Sequence, residues 1–177
     1  MLIYIALVLA FTFFGVYLYK ESEPLGVFRG FSNIPLKAVQ LLGFGLLLGI
    51  FTTLGCMQLT VSNIIYPVSF LVLLDLDHLP SLIGVSQIIR PAHSLIFLGI
   101  TILMIFLIHR CSAAIPIIFL STFIAHLGLD SPLFPLLTPL SLEIFEFNSK
   151  ISTLLLLFSL NLAWIGGKLI NISETRS

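Results

Sequence analysis

From Ala38 to Leu74 the chain carries no Asp, Glu, Lys, Arg or His. A helix crossing the hydrocarbon core of a bilayer needs about 20 apolar residues, within a range of about 17–25. This run is therefore too long for a single crossing and has to be divided. Only 9% of the chain is charged, 58% is apolar and mean hydropathy is +1.16. Soluble domains carry about 25% charged and about 45–50% apolar residues. The composition is that of an integral membrane protein, and 177 residues give one compact bundle with little left for a soluble domain.

Apolar runs predict spans over 2–19, 39–57, 60–75, 93–108, 113–129 and 151–170. The long run is cut near Gln58–Asn63. Pro67 is expected to kink the third span, which neighbouring helices tolerate. Pro80 disfavours helical geometry at Leu79 and so ends it. Residues 75–92 form an amphipathic connection, and Pro91 suits the start of the fourth span. His109–Ser112 reads as a tight turn, and Pro132, Pro135 and Pro139 force an irregular segment through Asn148. Within that segment Glu143 and Glu146, spaced i,i+3, suggest an interfacial amphipathic stretch with a solvated polar side. The first apolar run lacks a basic leading region and a small-x-small cleavage site, so it reads as a retained helix. The expected architecture is an all-α polytopic bundle of about six transmembrane helices. It forms a single domain over 1–177, with a motif-bearing core at about 70–140.

Charge bias orients this bundle. Lys20, Arg29, Lys37, Arg90 and Lys150 fall on one side and Arg110, Lys168 and Arg176 on the other, which favours the odd loops as cytoplasmic. Both ends of the chain then lie outside, in a cell membrane. Formal net charge is zero, so nothing indicates a nucleic-acid partner. Cys56 and Cys111 form no CxxC pair and read as small apolar fillers. The Asn171-Ile172-Ser173 sequon is read as a chance match, and the sixteen phenylalanines as lipid-facing and packing residues.

Against this background three polar clusters stand out: Asp75-Leu76-Asp77-His78, Arg90-Pro91-Ala92-His93-Ser94 and His126-Leu127-Gly128-Leu129-Asp130. An Asp at the centre of a membrane helix costs roughly 2.5–3.5 kcal/mol on insertion scales, yet the clusters hold three of the eight acids and three of the four histidines. Six spans would bring Asp75, Asp77, His78, Arg90, His93 and Asp130 to one membrane face. Asp75 and His78, at i,i+3, share a helical face. Carboxylates with imidazole suit Zn, Mn or Fe better than Ca or Mg. Hydrogen bonding of the same groups to interfacial water is the competing reading. His126 and Asp130, at i,i+4, project from one side of the fifth span. They serve either as ligands, with Asp130 alternatively orienting the imidazole, or as a buried pair that joins helices. His93 reads as a ligand or general base. Arg90 reads as a headgroup anchor or as a clamp for an anionic group. Ser94 reads as a helix-start hydrogen bonder, since no G-x-S-x-G surrounds it.

In order and spacing the clusters resemble the LexA-regulated, membrane-bound metal-dependent hydrolases (YdjM-like). Those proteins carry Pro-Asp-x-Asp-His, His-Arg-x-x-Thr-His-Ser, and a His-x-x-x-Asp helix followed by a Pro- and aromatic-rich stretch. Here the segments read Leu74 to His78, Ile88 to Ser94, and His126 to Asp130 followed by Pro132-Leu-Phe-Pro135. The departures are Ile88 at the first motif histidine, Ala92 at the Thr, and Arg90 one place nearer His93. No histidine precedes His78, so up to two of the family's ligand positions are missing. The resemblance implies a multi-pass protein with a metal-dependent hydrolytic centre. Asp75, Asp77, His78, His93, His126 and Asp130 are then ligands or their orienting groups. Asp77 or Asp130 accepts the proton, and Arg90 holds an anionic, lipid-like substrate that carries a phosphate or an ester. Two other classes stay open. A cation or proton transporter would place ionisable groups at mid-depth, and a non-catalytic homologue would use the clusters only to hold its helices together.

Overall fold

The structure is a computed structural model, described here for residues 5–10, 12–13, 34–78, 91–108, 113–130, 133–134, 145–146 and 148–174. Six helical segments account for most of these. They are α1 (5–10 and 12–13), α2 (Ile34–Cys56), α3 (Val61–Leu73), α4 (Leu95–Ile108), α5 (Ala114–Asp130) and α6 (Ser149–Glu174). Two 3-10 turns, Leu74–His78 and Pro91–His93, continue α3 and precede α4. The described residues are helical apart from their connections and one two-residue antiparallel pairing of Leu133–Phe134 with Phe145–Glu146. That pairing revises the expectation for Glu146. The Leu-Glu-Ile-Phe-Glu-Phe stretch satisfies an i,i+3 spacing, but it is short and mostly apolar, and a run of that kind is ambiguous between helix and strand.

The division expected within 38–74 falls at residues 57–60. Met57 adopts a left-handed φ of 59° directly after Cys56, the position at which helices commonly end. The buried Asn63 closes the turn from the other side, its Nδ2 donating to the Gln58 carbonyl at 2.9 Å. Pro67 lies inside α3, as expected.

Helices approach one another through glycine. Gly45 faces the Val68 Cα and Gly49 the Ile64 Cα, each at 3.0 Å from where a methyl would stand, so α2 and α3 run antiparallel. A methyl on Gly55 would strike the Trp164 carbonyl, and one on Gly167 the Thr52 carbonyl. Both contacts mark a single crossing, at which the α2 and α6 backbones touch. Gly128 meets Ser152 and Leu156, and Gly166 meets Ile118, which pairs α5 antiparallel with α6. Small residues at such crossings are the usual means of bringing apolar helices together where no water drives association. Three buried hydroxyls bond within their own helix: Thr12 donates to Val8 O, Thr52 to Leu48 O and Thr122 to Phe119 O.

Two helices contain windows long and apolar enough to cross a bilayer, Val39–Cys56 and Ser149–Ser173. Only 39% and 22% of these windows are buried within the protein, so neither is the enclosed core helix of a globular domain. Apolar helical stretches at 61–76, 95–108 and 114–129 are shorter. The core nearest the polar clusters joins Phe70, Leu74, Phe97, Phe119, Phe123 and Leu127, with Phe70 and Phe119 edge to face at 5.3 Å.

Candidate metal centre

The antiparallel order places the C-terminal end of α3, the N-terminal end of α4 and the C-terminal end of α5 side by side. Asp75, His93 and His126 lie at these three ends. His126 Nε2 is 2.8 Å from His93 Nε2 and 3.3 Å from Asp75 Oδ1. One donor atom from each of the three residues falls within 4.8 Å of the others.

Local sequence explains each placement. The α geometry of α3 stops at Leu73 and tightens into the Leu74–His78 turn, a common way for a helix to end. Leu74 is 1% exposed and anchors that turn in the core, with Asp75 next to it. His93 ends the Pro91–His93 turn, and Ser94 then starts α4. The Ser94 hydroxyl accepts the Phe97 N–H at 3.1 Å and its carbonyl accepts the Leu98 N–H at 3.0 Å, the pattern of an N-cap serine. The helix-start role expected for Ser94 is the one it fills. His93 is thereby fixed one residue outside the helix. His126 sits one turn before the end of α5, with Phe123, Ala125 and Leu127 buried around it.

Both imidazoles are 1% exposed, whereas the Asp75 side chain is 34% exposed. The cluster is closed on its imidazole side and open on its carboxylate side. A single proton can bridge the two Nε2 atoms if one ring donates and the other accepts. A divalent cation would instead engage the lone pairs of both nitrogens and the carboxylate together. A tetrahedral ion with bonds of about 2.0–2.1 Å sets its donors about 3.4 Å apart. The His126–Asp75 edge already has that length, the His126–His93 edge has to open by about half an ångström, and the His93–Asp75 edge lies within 4.8 Å. Two histidines and one carboxylate, with further positions left open, are a donor set found around catalytic Zn and non-haem Fe. The cluster can therefore hold a metal ion. His126 Nδ1 is buried and has no hydrogen-bond partner among the described residues. A ligating imidazole commonly donates from this nitrogen to a carboxylate, carbonyl or water.

The structure thus gathers three of the six ligand candidates. Asp77 and His78 belong by backbone to the Leu74–His78 turn and Asp130 closes α5. The side chains of these three, and Arg90 as a whole, lie outside the described residues. Glu143 lies outside as well. The direct contact of the two histidines has no signature in the sequence, because 33 residues separate them.

The cap gives a first prediction. Ser94→Ala is expected to lower stability by about 1 kcal/mol, and Ser94→Asp to retain it, since either oxygen can cap while a methyl cannot. Thermal unfolding of the purified variants measures this, and equal stability of Ser94→Ala and wild type would remove the cap from the account.

No protein-family model, curated protein or solved structure matches the chain.

Proposed function

We propose that this chain is a multi-pass membrane protein of about six spans that holds one divalent metal ion at one end of its bundle. We further propose that it uses the ion to hydrolyse a phospho- or ester-containing, lipid-like substrate. The observation that carries the reading is the convergence of Asp75, His93 and His126 from three separate chain segments onto one point. Scattered structural polar groups have no reason to converge in this way. The membrane reading is supported by the large apolar residues left outside, such as Leu46, Ile50 and Leu54 on α2 and Leu103 and Leu107 on α4. Large apolar residues exposed on several helices suit a surface that meets lipid.

Asp75, His93 and His126 are the ligands, with Asp77, His78 and Asp130 completing or orienting the set. Zn, Mn or Fe suits these donors. The ion would supply a bound water of lowered pKa and polarise the ester or phosphoryl oxygen. Asp77 or Asp130 takes up the proton, and Arg90 pairs with the substrate's anionic group. Access from the exposed Asp75 side, at the end of the bundle, suits a substrate lying in the headgroup layer. With the odd loops cytoplasmic, this face lies inside the cell.

Metal analysis by mass spectrometry on detergent-purified protein tests the reading, with Asp75→Ala beside the wild type. Wild type is expected to carry about one equivalent of transition metal, and Asp75→Ala to bind at least about 100-fold more weakly, given that even outer-shell partners are worth about 10–100-fold. A wild type that folds normally and takes up no metal would leave the second reading, in which the 2.8 Å imidazole contact serves as a pin between α4 and α5. A metal-loaded protein inactive on phosphomonoesters, phosphodiesters and lipid esters would retain the ion and lose the hydrolase.

A further inference from the structure

Helix α6 is inverted relative to a globular helix. Its buried residues Ser159, Ala163, Gly166 and Gly167 are all small, and many of its large apolar residues are exposed. The outward residues Leu154, Phe158, Asn161, Ile165, Lys168 and Ile172 are all exposed. They follow one another at spacings of four, three, four, three and four. That is the a/d alternation of a coiled-coil seam, sustained over most of the helix and left uncovered. On a helix of about 3.6 residues per turn the exposed face is centred on Asn161.

Asn161 is the only member of the seam with an uncharged polar side chain, and it stands at the midpoint of Ser149–Ser173, the longer of the two bilayer-length windows. Its Nδ2 donates once, to the Leu157 carbonyl one turn back at 2.9 Å. Among the described residues the second Nδ2 hydrogen and the Oδ1 acceptor have no partner. Lipid tails can satisfy neither. Leaving buried polar groups unpaired costs on the order of 1–3 kcal/mol.

We propose that a second copy of this chain docks on this face, two α6 helices crossing in parallel about a two-fold axis that passes between the paired Asn161 side chains. A primary amide offers both a donor and an acceptor, so two copies related by a two-fold axis satisfy each other reciprocally. No complementary partner chemistry is required. The seam spacing supplies knobs at matching heights on both copies, as a self-complementary interface demands. A single polar residue in an otherwise apolar seam is the established device for fixing register and oligomer state. Lys168 does not oppose the pairing. Its ammonium lies 4.0 Å from the centre of its own Trp164 ring, drawn to the flank of the seam near the end of the span. Lipid alone on this face is the outcome the test sets against the dimer.

The proposal rests on α6 spanning a bilayer, and the experiment separates the two failures. Full-length protein reconstituted in phosphatidylcholine vesicles is labelled with donor and acceptor dyes, and energy transfer is followed as protein is diluted in lipid. Wild type is expected to dimerise. Asn161→Leu, which keeps the seam apolar, is expected to raise the dissociation constant about tenfold, in line with interhelical hydrogen bonds of about 1–2 kcal/mol in model peptides. Single cysteines at Leu154, Phe158 and Ile165, in a background with Cys56 and Cys111 replaced by Ser, are expected to cross-link to their own copies. Cysteines at the inward Leu156 and Leu160 are not. Inserted wild type that stays monomeric, or an Asn161→Leu variant that dimerises equally well, overturns the dimer alone. A wild type that purifies without detergent and does not insert overturns the spanning reading beneath it.

Discussion

His126→Ala is expected to abolish metal binding, reducing occupancy from about one equivalent to less than about a tenth. His126 is the hub of the cluster, since its Nε2 is the atom within 2.8 Å of His93 and 3.3 Å of Asp75. Removing it leaves two donors of the three that converge there. Even outer-shell partners of metal ligands are worth about 10–100-fold in affinity, so loss of this ligand exceeds about 100-fold. A second readout separates a metal centre from a hydrogen-bonded pin. An ion that binds only the folded protein raises its stability by about 2.7 kcal/mol at a free concentration one hundred times the dissociation constant. Adding metal to chelator-stripped wild type therefore raises its Tm, and adding it to His126→Ala does not. His93→Ala should behave alike, and the double variant should lose no more than either alone, because ligands of one ion act as a unit. A wild-type Tm indifferent to Zn, Mn and Fe would leave only the pin.

The second large effect is expected at the crossing of α2 and α6. Gly167→Leu should prevent the bundle from closing, and even Gly167→Ala should cost about 3 kcal/mol or more, the upper end of overpacking penalties. The obstruction is backbone: a Cβ on Gly167 meets the Thr52 carbonyl, with Cys56 N at 2.9 Å. A rotamer change cannot relieve it, and the two helices have to separate. Gly99 is the internal control, since a methyl there meets nothing within 4 Å. Gly99→Ala should be neutral or slightly stabilising, because Gly within a helix costs roughly 0.5–1 kcal/mol relative to Ala. The buried Cys56 thiol reports the outcome directly. With Cys111 replaced by Ser, maleimide labelling of the folded protein should be slow in wild type and Gly99→Ala and fast in both Gly167 variants. Slow labelling of Gly167→Leu would show that the helices do not meet as described.

Much of the helix layout was legible from hydropathy. The division of 38–74 rested on the one place where Gln58, Thr60, Ser62 and Asn63 gather, and at the turn over 57–60 Asn63 bonds back to the Gln58 carbonyl while the Thr60 and Ser62 hydroxyls bond each other. The start of α4 was legible through Pro91 and Ser94, whose preferences are local. The Phe145–Glu146 strand was not, because so short and apolar a stretch carries no decisive period and the partner of Phe145 lies eleven residues earlier in the chain. Glycine crossings were equally hidden. Gly55 and Gly167 are unremarkable in sequence, and only the crossing of their helices makes them contact points.

By itself the sequence determined which segments are apolar enough to be helices in lipid and which few groups are costly enough there to need a reason. Those are properties of composition and of residues within a turn or two of one another. What brought Asp75, His93 and His126 to one point, and set His126 at its centre, was the tertiary structure. The spacing along any one helix fixes only which of its side chains share a face. The distance between faces depends on how closely glycine lets the helices approach and on where the turns at Leu74–His78 and Pro91–His93 leave their side chains.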